Sequence, residues 1–88
     1  MKSKTKLFEA LDTYFGTNLF TRLKLEMVGN ETYGKKSFIY VHTDGPSNRR
    51  GLEKFLEDRL FKVNHGYAPG SGVVEVQVSY FRGNRWDE

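Results

Sequence analysis

Residues 19–28 alternate without a break, with Leu19, Thr21, Leu23, Leu25 and Met27 on one side and Phe20, Arg22, Lys24, Glu26 and Val28 on the other. A period of two held over ten residues fits a β-strand and no helix. Gly29, Asn30 and Gly34 then mark a turn, and residues 35–42 alternate again, with Phe38, Tyr40 and His42 on one face and Ser37, Ile39 and Val41 on the other. The two runs predict an antiparallel hairpin. A hairpin alone is marginal in water, so the rest of the chain must cover one of its faces.

The cover comes from two amphipathic stretches. Over residues 4–15, Leu7, Phe8, Leu11, Tyr14 and Phe15 share one helical face, and Gly16 stands where a helix ends. Lys2, Lys4 and Lys6 crowd the start of this helix, the end its dipole disfavours for cations. A loop over 44–48 leads into a second helix, with Ser47 as the expected N-cap, running to about residue 62. Its apolar stripe is Leu52, Phe55, Leu56, Leu60 and Val63, while the acidic Glu53, Glu57 and Asp58 read as a solvated face. Residues 64–72, with His65, Tyr67 and Pro69, have no periodicity and read as a loop. Residues 73–81 form a last strand, with Val74, Val76, Val78 and Tyr80 on one face and Val73, Glu75, Gln77, Ser79 and Phe81 on the other.

The order helix, strand, strand, helix, strand predicts an α+β fold, αββαβ, with a three-stranded mixed sheet and both helices on one face. The second helix would act as a right-handed crossover from the middle strand to the last. The 88 residues support one hydrophobic core, hence a single domain over 1–88. Leu23, Leu25, Met27, Ile39, Val41, Val74, Val76 and Val78 are its expected sheet contribution. Turning Ile39 and Val41 inward turns Phe38, Tyr40 and His42 outward.

Cysteine is absent, which excludes disulfides, thiolate metal sites and a cysteine nucleophile. It also favours a reducing cytoplasm for so small a domain. No apolar h-region follows Met1, Lys2, Ser3 and Lys4, and no apolar run approaches the roughly 20 residues needed to cross a bilayer, so neither a signal peptide nor a membrane partner is expected. His42 and His65 lie on different elements without a metal-ligand partner at a known spacing. No phosphate-binding glycine pattern is present, and Ser47 has no evident base. The expectation is a non-enzymatic domain with no catalytic residue, metal or cofactor.

The outer face of the sheet is the candidate site. Phe20, Phe38, Tyr40 and Phe81 would be exposed there, with Arg22, Lys24, His42 and Arg82 around them. Rings flanked by cations on an open sheet suit base stacking beside phosphate contacts. The net charge of +3 permits nucleic acid as partner without demanding it. Arg49 and Arg50 at the start of the second helix could add a phosphate contact. Trp86 in the tail could fold back or anchor a partner. The tail, the 64–72 loop or a second subunit in a homodimer could instead cover the patch.

Lys36-Ser37-Phe38-Ile39-Tyr40-Val41-His42 resembles part of the signature strand of the RNA-recognition motif, matching at Lys36, Phe38, Tyr40 and Val41, departing at Ser37 and Ile39, and lacking the signature's terminal aromatic. The resemblance implies stacking by Phe38 and Tyr40. It also implies a further strand, before the first helix, bearing another ring, for which this chain has no room. In length, lack of cysteine and basic start the chain also resembles the small accessory and early proteins of short-tailed bacteriophages. That resemblance implies either nucleic-acid handling or inhibition of a host or defence protein. The expected function is therefore nucleic-acid binding through the sheet face, with a protein-binding inhibitor of the phage type as the alternative.

Overall fold

A computed structural model describes residues 2–16 and 36–81, and the backbone of 25–30. Among these, the elements are α1 (Lys4–Phe15), β1 (Leu25–Asn30), β2 (Lys36–His42), α2 (Pro46–Asp58), β3 (Lys62–Asn64) and β4 (Val73–Ser79). The fold is α+β, and the order αββαβ holds with one short strand added before the last. The expected strand residues 19–24 and the tail 82–88 lie outside the described residues, and with them Phe20, Arg22, Lys24, Arg82 and Trp86.

The strands lie in the order β1-β2-β4-β3, and every neighbouring pair is antiparallel. The expected mixed pairing is thereby corrected. β2 and β3 both oppose β4, so they run parallel to each other with β4 between them. The second helix does cross over between parallel strands, but it leads to β3 at the sheet edge, and a hairpin then returns β4 to the gap. This is a split βαβ arrangement. The element order is that of the β-α-β-β-α-β pattern shifted cyclically by one strand.

The extra strand and the early end of α2 share one cause. Leu60 N–H donates to the Glu57 carbonyl at 2.9 Å and Phe61 N–H to the Leu56 carbonyl at 3.0 Å. These two bonds close a Schellman turn. Leu60 takes the left-handed position, φ 67°, where glycine is usual. With leucine there, the sequence carries no stop signal, and Leu60 and Val63 read as a continuing helix stripe. Instead Leu60 points to solvent, 82% exposed, while Phe61 is buried and Val63 packs against the core from β3.

The start of α2 also differs from expectation. Gly45 is the N-cap and Pro46 the first helical residue. Proline suits that position, where its missing N–H costs nothing, and this draws the helix start two residues ahead of the expected Ser47 cap. α1 has the expected limits. Ser3 caps it, its Oγ accepting from the Lys6 N–H at 3.2 Å, and Gly16 closes it at φ 92°.

Both helices cover one face of the sheet. Leu7 and Leu11 of α1 and Leu52 and Leu56 of α2 meet Ile39 and Val41 of β2 and Val74, Val76 and Val78 of β4, all fully buried. The register sets Leu25 and Met27 of β1 opposite Val41 and Ile39. The helices approach closely at Gly51, where an added Cβ would lie 3.0 Å from the Tyr14 hydroxyl.

Phe81 is a correction. Strand parity placed it outward, yet it is 3% exposed and part of the core. Regular pairing stops at Ser79, and parity stops with it. Phe81 N–H donates to Ser37 Oγ at 2.9 Å, and that hydroxyl donates to the Phe81 carbonyl at 3.0 Å. The inward Ser37 is thus satisfied in the core, and the chain turns the ring under the sheet. Lys4, itself buried, holds its ammonium 5.1 Å from the Phe81 ring centre, and Lys2 lies 5.9 Å from that of Phe61. The basic start of the chain packs on core rings.

Candidate functional site

β2 and β4 are the two inner strands of the sheet, and their inner faces are fully occupied by the core. Their outer faces carry Phe38, Tyr40 and His42 on β2 and Val73, Glu75 and Gln77 on β4, all half-buried. The sequence-predicted trio Phe38, Tyr40 and His42 is therefore brought together as expected. Register aligns the rows: Phe38 lies opposite Gln77 and Gln77 opposite Lys62, while Tyr40 lies opposite Glu75 and Glu75 opposite Asn64. Lys36 is exposed at the end of β2 and Lys62 on the edge strand. These two lysines are the described cations on the face, Lys36 two residues along β2 from Phe38 and Lys62 two strands across from it, beyond Gln77.

The 65–72 hairpin adds a third ring to the face. Tyr67 lies against Tyr40, ring centres 5.0 Å apart and planes tilted by 38°. Nothing in the loop's composition announces this contact, because it depends on β3 returning the chain beside β4. The hairpin is fixed at both ends. At one end the Thr43 N–H and hydroxyl both donate to the Gly72 carbonyl, at 2.8 and 2.6 Å. A Cβ at Gly72 would collide with the Thr43 carbonyl, so only glycine allows this approach.

Arg49 holds the other end, which corrects its expected role. It is 5% exposed and does not face solvent phosphate. Its Nε pairs with Glu53 at 3.1 Å. Its terminal nitrogens donate to the Ala68 carbonyl at 2.6 Å and the His65 carbonyl at 3.1 Å. Glu53, expected on a solvated face, is 6% exposed for the same reason. Five donors in a planar fork let one arginine satisfy a carboxylate and two loop carbonyls at once. Arg50 is exposed on α2, with one terminal nitrogen 3.4 Å from Ser47 Oγ. It stands on the helix side of the sheet and cannot join the outer face.

His65 completes this cluster. Its Nε2 lies 2.6 Å from Glu57 Oε2 and its Nδ1 3.4 Å from Glu53 Oε1. The hydrogen bond to Glu57, reinforced by the charges of Glu57 and Glu53, raises its pKa above the ordinary 6.5, against a smaller opposing effect of desolvation. A histidine held towards its protonated form between carboxylates fastens a loop and is poorly suited to act as a general base. Among the described residues, no group of three or more His, Asp or Glu side chains could hold a metal ion. None of the described helices is long and apolar enough to cross a membrane.

Comparison with protein-family models, with curated proteins and with solved structures finds no match for this chain.

Proposed function

We propose that this chain is a non-enzymatic binding domain of the reducing cytoplasm that takes single-stranded nucleic acid on the outer face of its sheet. The observation that carries the reading is the outward, half-buried set Phe38, Tyr40 and His42 on an inner strand, with the exposed Lys36 along the same strand and the exposed Lys62 two strands across from Phe38. Rings at this spacing offer stacking surfaces for bases, and the lysines offer phosphate contacts. The resemblance of β2 to the RNA-recognition signature strand supports the same use. The further strand that the resemblance implies before the first helix has a counterpart in β4, delivered by the end of the chain. β4 brings Glu75 and Gln77 outward in place of a ring, and Tyr67 of the hairpin supplies a further aromatic surface.

Titration of the full chain with a fluorescent single strand at low and high salt tests the reading. Binding should be present at low salt and fall steeply as salt rises. The double change Phe38→Ala and Tyr40→Ala should weaken it by about 2–6 kcal/mol, the loss of two stacked bases. Absence of binding at low salt would end the nucleic-acid reading. The patch would then serve a protein partner, as expected of an inhibitor of a host or defence protein, whose aromatic interface salt would weaken little.

A further inference from the structure

Beside Phe38 the outer face sinks into an open depression of about 360 Å3, lined by Phe38, Lys62, Asn64, Glu75 and Gln77 among others. One edge of it is a fixed polar pair. Asn64 Nδ2 donates to Glu75 Oε1 at 2.8 Å, and Asn64 Oδ1 accepts from the Gly66 N–H at 3.0 Å. The backbone N–H can only donate, so it fixes the amide with its nitrogen towards the carboxylate. Glu75 is thereby steadied through one oxygen and keeps a second acceptor oxygen.

A carboxylate on a face offered to a polyanion repels phosphate and lowers affinity for every sequence. It is favourable there only where the ligand brings N–H donors to it. Bases differ in this respect. Cytosine and adenine carry an exocyclic amino group, whereas thymine and uracil carry a carbonyl oxygen at the corresponding place. Against Glu75 an exocyclic amine makes a charge-assisted hydrogen bond, whereas thymine and uracil offer one ring N–H flanked by two carbonyl oxygens whose lone pairs oppose the negative charge. Lys62, on the far strand of the same depression, is placed to meet the adjoining phosphate.

Resting on the nucleic-acid reading above, we infer that this depression is a base-selective subsite. It takes cytosine or adenine stacked on Phe38 with the exocyclic amine donating to Glu75, in preference to thymine and uracil. Oligo(dC) and oligo(dT) of equal length, end-labelled and titrated at low salt, give the decisive comparison, because both are pyrimidines of similar stacking area. Wild type should bind oligo(dC) about tenfold more tightly than oligo(dT). Glu75→Gln keeps the shape and adds a donor for a carbonyl, so it should erase that preference, mainly by strengthening oligo(dT). Asn64→Ala, which frees the carboxylate, should reduce the preference without reversing it. Equal wild-type affinities would overturn the inference while leaving the nucleic-acid reading intact. So would a preference that survives Glu75→Gln unchanged. Failure to bind either oligonucleotide would overturn both.

Discussion

The two faces of the sheet use the same strands for opposite ends. On the inner face Ile39, Val41, Val74, Val76 and Val78 are fully buried, β-branched and free of polar atoms. On the outer face, one residue along in each case, stand Phe38, Tyr40, Glu75 and Gln77, half-buried and each able to stack or to hydrogen-bond. Period-two geometry lets a short chain keep the two tasks apart, since a side chain on one face scarcely touches those on the other. The inner face should therefore carry stability and the outer face binding.

The strongest way to break that division is to empty each face in turn. Ile39→Ala with Val41→Ala leaves a cavity under both helices. An isoleucine truncation alone costs about 2–5 kcal/mol, while a small domain holds only about 0.05–0.15 kcal/mol per residue in total. The aliphatic variant should be largely unfolded by circular dichroism. Phe38→Ala with Tyr40→Ala should stay folded, losing about 1–2 kcal/mol. If the aromatic variant unfolds and the aliphatic one survives, it is the outer face that carries stability.

The next effect crosses from one side to the other. Arg49 belongs to α2 on the inner side, yet it holds the hairpin that lays Tyr67 on Tyr40. Arg49→Ala leaves the buried Glu53 with His65 alone, at 3.4 Å, and two loop carbonyls without their donor. The expected cost is about 3–5 kcal/mol. Arg49→Met combined with Glu53→Leu removes both charges and should recover much of that loss. Denaturant midpoints of the two variants and wild type decide it. A double variant no more stable than Arg49→Ala would mean that the loop carbonyls, and not the carboxylate's loss of its arginine, account for the cost.

A smaller effect follows from His65 in the same cluster. Its pKa is higher in the fold than the ordinary 6.5, chiefly through the hydrogen bond to Glu57 and then the charges of Glu57 and Glu53. The folded state therefore holds the proton more tightly than the unfolded chain. The stabilisation is complete below about pH 6.5 and is lost as the pH rises through the folded value. His65 is more than half exposed, so solvent screens the interaction and the effect should be modest. Wild type should melt lower at pH 8 than at pH 6, and His65→Gln should flatten that difference. An unchanged slope in His65→Gln would assign the pH dependence to other groups.

These elements also show where reading the sequence succeeds. α1 and the faces of β2 were legible because their periodicity spans a whole element and ends at a glycine or a turn. β3 was not, since three residues with one apolar member show no alternation and its Val63 fits a helix stripe equally well. Arg49 and Glu53 form an i, i+4 pair that is indistinguishable in sequence from a solvated one. Only the hairpin folding over them makes them buried. Tyr67 and Phe81 share that limit, because each is placed by what the chain does after regular structure ends. The outer-face aromatics of β2 could be picked out in advance, whereas Asn64, Glu75 and Lys62 became a site only once β3 was in place.

The smallest expected effect serves as a control, because it concerns a residue on neither face. Leu60 sits at φ 67° in the turn that ends α2, and it is 82% exposed. A side chain in the left-handed region costs about 1–2 kcal/mol, and glycine avoids that cost while losing more freedom on folding, about 0.5–1 kcal/mol. So little of Leu60 is buried that its removal forfeits almost no packing. Leu60→Gly should therefore stabilise the fold by up to about 1 kcal/mol, raising Tm by roughly 4 °C or somewhat more. It should leave binding at the outer face unchanged. A lower Tm would show that Leu60 contributes contacts beyond those of a solvent-exposed turn. A change in binding without a change in Tm would show that the ligand reaches round the sheet edge to the end of α2, and the two-face division would then have to be widened to include that edge.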